Sequence, residues 1–151
     1  MSERQWSLET LLMEGIRVAI DSNVLIYLLE DDGPRAIVAG SIIDAVGAGR
    51  IVGIVASLGL TEVLAGFARH GDAARFETAA AELADLGLHV RALDAELAVD
   101  AAWLRAEGIG LEDAIYIATA RAEDADVFVT NDRRIMSRAR FEVAYLDDLV
   151  A

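Results

Sequence analysis

The chain contains no cysteine and no lysine: all 13 of its basic residues are arginine. Without thiols, disulfides, thiol nucleophiles and thiolate metal sites are excluded. Without lysine, every mechanism that needs a catalytic or phosphate-clamping ammonium is excluded too, the P-loop among them. No uncharged apolar run reaches the roughly 18 residues that a bilayer span requires. The opening MSERQWSLET carries acids and lacks a basic-then-apolar pattern, so export is not expected and the cytoplasm is the expected compartment. Basic charge is scarce overall. The formal net charge of −13 argues against a broad electrostatic footprint for nucleic acid. It leaves room for a small local basic patch or a basic protein partner.

What is present points to a single enclosed domain. At 151 residues the chain is long enough for one sizeable core. Its 55% hydrophobic content and mean hydropathy of +0.38 are high for a soluble monomer. A parallel sheet buried on both faces accounts for part of this, and an apolar self-association or partner surface for the rest. Short β-branched runs alternate with helical patterns. IRVAI (16–20), IVGIVA (51–56), LHVRAL (88–93), VFVT (127–130) and FEVAYL (141–146) read as strands. Helices are expected over 5–14, through VLIYLLE, from Pro34 to about Gly47, after Ser57 as N-cap, over 72–86, from Asp94 to about Glu107, and over LEDAIYIATARAE, with a short one after TNDRR. This order predicts an α/β fold, a three-layer α/β/α sandwich with a mainly parallel central sheet.

The chemistry is carried by acids at one structural phase of this pattern. Asp21 follows the first strand, Glu62 lies in the helix after the second, Asp113 opens an apolar helix, and Asp132 follows the fourth strand. In an open parallel sheet such positions converge on one crevice. Carboxylates gathered there repel one another and are tolerated mainly when a cation neutralises them. Each has a plain alternative: Asp21 and Asp132 as turn formers, Glu62 and Asp113 as solvated helix surface. Yet Glu62 is the lone charge between Ile51 and Phe67, and such a carboxylate needs a partner. Glu112 is the expected exposed acid beside an inward Asp113.

The stretches AIDSNVLIYLL, LTEVLAG, EDAIYIATA and VFVTND, in that order, resemble the four motifs of the PIN domain family, and within it the VapC-type toxin ribonucleases of toxin–antitoxin pairs. The resemblance covers about residues 17–146. Residues 1–16 precede it as an N-terminal helical extension, either an added helix or an over-long start, with 17–151 as the nuclease domain. It implies an endoribonuclease dependent on Mg²⁺ or Mn²⁺, with Asp21, Glu62, Asp113 and Asp132 as the acidic quartet and Asn23 and Thr130 as polar supports. Asp21 and Asp113 are expected as direct metal ligands, Glu62 as the group that orients or deprotonates the attacking water, and Asp132 as a second-metal or water-mediated acid. It further implies a homodimer neutralised by a cognate antitoxin protein. DRRIMSRAR places Arg133, Arg134, Arg138 and Arg140 directly after the fourth acid, as phosphate contacts for RNA or as a solvated basic helix.

Rival readings fit less well. Haloacid-dehalogenase phosphatases want a second Asp where Asn23 stands, and they and response-regulator receivers normally use a lysine. GAGRIVG leaves a helix and enters a strand, the reverse of a dinucleotide loop. His70 and His89, the two histidines, sit at a helix end and in a strand and make poor bases or zinc ligands. No G-x-S-x-G elbow is present. Trp6, Trp103 and Tyr116 read as core or interface residues. The remaining alternative is a catalytically idle PIN fold kept as a protein-binding scaffold.

Overall fold

The computed structural model describes residues 5–135 and 142–150. Five parallel strands form one sheet: β1 (Arg17–Ile20), β2 (Val52–Ala56), β3 (His89–Arg91), β4 (Val127–Thr130) and β5 (Glu142–Tyr145), in the order β3-β2-β1-β4-β5. Alternate strand residues face opposite helical layers, as the two-residue period of a strand requires. Val18, Ile20, Val55, Val127 and Val129 pack on one side with α2 (Ser22–Glu30), α3 (Pro34–Gly47), α4 (Ser57–Arg69) and α5 (Ala73–Ala84). Ala19, Ala56 and Phe128 pack on the other with α6 (Ala95–Ala106) and α7 (Leu111–Ala122). The three-layer α/β/α sandwich expected from the sequence is present, with every strand pairing parallel.

The topology fixes where a site can form. β1 is central, with β2 on one side and β4 on the other, so successive connections leave it in opposite directions. The crevice beyond the carboxyl ends of β1 and β4 is therefore the switch point at which such sheets place their functional groups. The backbone N–H of Asp21 continues the β1–β4 ladder to the Val129 carbonyl at 3.0 Å, so Asp21 and the end of β4 are held side by side.

Three local expectations are corrected. The helix expected over 5–14 is a single turn, α1 (Leu8–Leu11), started by a Ser7–Thr10 capping box and followed by Gly15 at φ +87°, a left-handed conformation that glycine accepts. Trp6 and Leu11 nonetheless bury themselves in the larger core. Ser57 is the first residue of α4 rather than its N-cap, and its hydroxyl accepts from the Leu93 N–H at 3.3 Å. The run FEVAYL does not stay extended: β5 ends at Tyr145 and a one-turn helix, α8 (Leu146–Leu149), follows. The short helix expected after TNDRR falls largely outside the described residues; Arg133–Ile135 form a 3₁₀ turn. No helix among the described residues is long and apolar enough to cross a membrane.

Candidate active site

Asp21 stands at the N-cap position of α2, yet its side chain makes no capping bond. The carboxylate turns instead to side chains around the crevice. Oδ2 accepts from the Thr130 hydroxyl at 2.6 Å and from the Asn23 amide at 3.4 Å, and Oδ1 accepts from the Ser22 hydroxyl at 3.3 Å. Thr130, the last residue of β4, is fully buried and serves as a junction. Its Oγ1 also accepts from Asn23 Nδ2 at 3.3 Å and from the Asp132 N–H at 3.0 Å. Burial of Asp21 pushes its carboxyl above the ordinary range, the Glu62 charge adds to this, and the hydroxyl and backbone donors only partly offset it.

Glu62 reaches the same crevice from α4. Oε2 lies 3.2 Å from the Ser22 hydroxyl, and Oε1 accepts from the Tyr116 hydroxyl of α7. Ser22 thus lies within hydrogen-bond range of both Asp21 and Glu62. Asp113 opens α7 in its first turn, half-buried beside an exposed Glu112, as expected. Partial burial, then the charges of Asp132 and Glu62, raise its carboxyl, while Arg134 works in the opposite direction. No hydrogen bond from the described residues reaches its side chain. Asp132 behaves differently. Its carboxylate receives Nε and Nη2 of Arg134 at 2.9 and 2.8 Å and the Arg134 backbone N–H at 3.0 Å, which hold it below the ordinary range.

The structure therefore brings Asp21, Glu62, Asp113, Asp132, Asn23 and Thr130 to one crevice from four elements, α2, α4, α7 and β4, and the loop after β4. The basic side chains are not free there. Arg134 is bound to Asp132, and Arg133 is bound to both oxygens of Asp148 at 2.9 and 3.2 Å, stacked 4.1 Å above the Tyr145 ring. Arg138 and Arg140 lie outside the described residues. His89 contacts Glu123 at 3.2 Å, away from the crevice. Two residues of the site escaped sequence reasoning: Ser22, hidden between two better-marked neighbours, and Tyr116, read as core. A buried phenol needs a partner for its hydroxyl, and Glu62 in its apolar segment needed one too; that pairing was the available signal.

The donor set is all oxygen, which suits a hard divalent cation. Burial and neighbouring carboxylates raise Asp21 and Asp113, a penalty that a bound cation would relieve, and among the described residues the buried Asn23 Oδ1 has no hydrogen-bond partner. These features fit Mg²⁺ or Mn²⁺. The carboxylates are nevertheless spread: among the described residues no three Asp, Glu or His side chains gather at metal-binding range, with Glu62 and Asp132 turned to protein partners.

Comparison with known proteins agrees with this arrangement. No curated protein matches the chain in sequence. Among solved structures, it is similar to VapBC2 of Rickettsia felis bound to a DNA fragment from its promoter (TM-score 0.70, 16% identity, 86% of this chain and 98% of that one). It is also similar to a toxin–antitoxin complex from Klebsiella pneumoniae (TM-score 0.64, 18% identity, 85% and 97%). A third is the sarcin–ricin-loop-cleaving toxin VapC20 of Mycobacterium tuberculosis (TM-score 0.62, 19% identity, 82% and 95%). At these identities the likeness is one of fold. The PIN domain family model matches residues 18–142, most of the chain and all four acid-bearing stretches, and the chain belongs to the PIN domain family.

Proposed function

We propose that this protein is a metal-dependent endoribonuclease, the toxin of a toxin–antitoxin pair. The observation that carries the reading is the convergence of four carboxylates, from separate parts of the chain, on the switch point of a parallel sheet. There, burial and mutual repulsion raise Asp21 and Asp113. An idle scaffold has no reason to keep these charges together. Membership of the PIN family and a fold shared with VapC-type toxins support the same reading.

Asp21 and Asp113 would hold the cation, Asp21 because donors from Thr130, Asn23 and Ser22 orient it and Asp113 because no described residue hydrogen-bonds its oxygens. When bound, Mg²⁺ or Mn²⁺ supplies positive charge to the carboxylates and to the scissile phosphate. Thr130, Asn23 and Ser22 hold Asp21 in one orientation. Glu62 orients the attacking water and accepts its proton as the water oxygen bonds to phosphorus. The bond from phosphorus to the 3′ oxygen then breaks, and that oxygen takes a proton from solvent water, leaving 5′-phosphate and 3′-hydroxyl ends. Asp132 acts through water or a second cation. Arg133 and Arg134 meet RNA phosphate only by exchanging their present carboxylate partners. The chain works in the cytoplasm as a homodimer, restrained by an antitoxin whose segment reaches the acidic crevice.

Purified protein freed of any partner should cut single-stranded or structured RNA with Mg²⁺ or Mn²⁺ and stop with EDTA. Asp21→Asn should lower cutting by about 10³-fold, the upper range for loss of one electrostatic stabiliser, with the circular dichroism spectrum retained. Cutting that survives EDTA, or full activity in Asp21→Asn, would sink the mechanism. Tight binding of a protein partner without cutting of any RNA would favour the scaffold.

A further inference from the structure

The helix that delivers Asp113 also delivers a phenol. Tyr116 follows three residues later in α7, one turn on and near the same face, and is 4% exposed. Its ring lies tilted against Phe128 of β4, centroids 6.1 Å apart, so the ring position is set by core packing. Its hydroxyl donates to Glu62 Oε1 at 2.5 Å, across 54 positions of sequence. Gly59, one turn before Glu62 in α4, leaves space for this contact. A Cβ there would lie 3.4 Å from the Tyr116 hydroxyl and 3.1 Å from Val55 Cγ2.

The second oxygen of Glu62 faces Ser22 at 3.2 Å. Ser22 has one proton to share between Glu62 and Asp21, so the Tyr116 hydroxyl is the donor committed to Glu62; a carboxylate offers about four acceptor positions, which leaves others for water. Burial, and the Glu62 carboxylate beside it, push the Tyr116 phenol far above its ordinary range, so the hydroxyl keeps its proton and donates it to Glu62. Neither hydroxyl brings net charge, so Glu62 is oriented without being neutralised.

We propose that Tyr116 is a positioning residue for RNA hydrolysis: through its bond to Glu62 it sets the plane in which that carboxylate meets the attacking water. The role rests on the nuclease reading above and adds a residue to it. Tyr116→Phe keeps the ring and removes only the hydroxyl. It should lower kcat about 10- to 100-fold, the scale of loss when a reacting group is misplaced by about 1 Å. The KM for RNA, and the Mn²⁺ dissociation constant read by electron paramagnetic resonance, should stay within about twofold, since the removed hydroxyl touches neither ligand. Gly59→Ala sets a methyl in ordinary contact with the hydroxyl at 3.4 Å and tightly against Val55 Cγ2 at 3.1 Å, so the local packing must give by a few tenths of an ångström and kcat should fall in the same sense by less. It carries the test with the same readouts if the Phe variant does not fold.

A fall in kcat alone supports the proposal. Equal kcat in an active wild type and both variants overturns the positioning role and leaves the nuclease reading standing. A change confined to KM or Mn²⁺ affinity also overturns it, by assigning the hydroxyl to binding. A wild type inert with both metals overturns the nuclease reading and the role together.

Discussion

Asp21 and Glu62 are held by hydroxyls, from Ser22, Thr130 and Tyr116, whereas Asp132 is held by the Arg134 guanidinium. The first side is buried: Thr130 is 0% exposed and Tyr116 4%. The second is open, with the Arg134 side chain 84% exposed. Hydroxyl donors aim a carboxylate without cancelling its charge, so burial still raises Asp21. The guanidinium cancels charge, and Asp132 is lowered. One side of the crevice therefore keeps carboxylates raised by burial, while the other carries its own cation, which on the nuclease reading a metal or an RNA phosphate would have to displace. Asp113 feels both sides, raised first by partial burial and then by Asp132 and Glu62, and relieved by Arg134.

The largest effect should come from breaking the joint between the two sides. Thr130 donates to Asp21 and accepts from Asn23 and from the Asp132 N–H. Thr130→Val keeps the shape and leaves three polar groups short of a partner. Unsatisfied buried groups cost about 1–3 kcal/mol each, and relaxation towards water recovers some of that, so a net loss of about 2–3 kcal/mol is expected. For a chain of this size that lowers the Tm by roughly 5–10 °C in thermal denaturation. RNA cutting should fall about 100-fold as Asp21 loses its orientation, the upper range for loss of a residue that orients a metal ligand. Thr130→Ser should restore most of both. A valine variant with unchanged Tm would show that the hydroxyl side is not held as described.

The two sides differ also in how legible they were. Asp21, Glu62, Asp113 and Asp132 stood out because each interrupts or borders an apolar run, and alternation of strands and helices fixed the layers in which they sit. The partners did not stand out. Tyr116 lies within AIYIATA, where a phenol is indistinguishable by pattern from a core aromatic, and its bond to Glu62 depends on how α7 meets α4. Arg134 read as either a phosphate contact or part of a solvated basic helix, since sequence shows a basic run but not that Arg133 and Arg134 each have a carboxylate within reach. Helix α8 was missed because FEVAYL reads as a continuous strand, yet α8 supplies Asp147 for Arg35 and Asp148 for Arg133. Pattern locates charges; packing decides what satisfies them.

Releasing the open side should be milder than breaking the joint. Arg134→Gln removes the cation from Asp132 and the opposing charge from Asp113. Mn²⁺ binding, read by electron paramagnetic resonance, should tighten severalfold, because a cation no longer competes with a tethered one. The pair is exposed and solvent-screened, so the Tm should not move measurably at moderate salt. A rise in the KM for RNA alongside tighter metal binding would show that the same guanidinium also meets phosphate. Weaker metal binding would reverse the comparison, making Arg134 a support of the site rather than its stand-in cation.

The smallest effect tests the carboxylate that feels both sides. Asp113 has a raised carboxyl in the folded state, caused first by partial burial and then by Asp132 and Glu62. A group raised on folding favours the native state when protonated and loses that contribution as pH rises through its folded pKa. At neutral pH the ionised Asp113 therefore opposes folding, and Asp113→Asn should raise the Tm while lowering RNA cutting. Solvent screens much of the repulsion, so the gain should be about 1–2 °C at pH 7. It should shrink as pH falls through the carboxylate range, because the wild-type group then protonates and matches the neutral amide. Added Mg²⁺ should raise the wild-type Tm and leave the variant nearly unmoved. A gain that persists unchanged at low pH would assign it to packing of the amide, and would remove electrostatic crowding as the reason this crevice draws a cation.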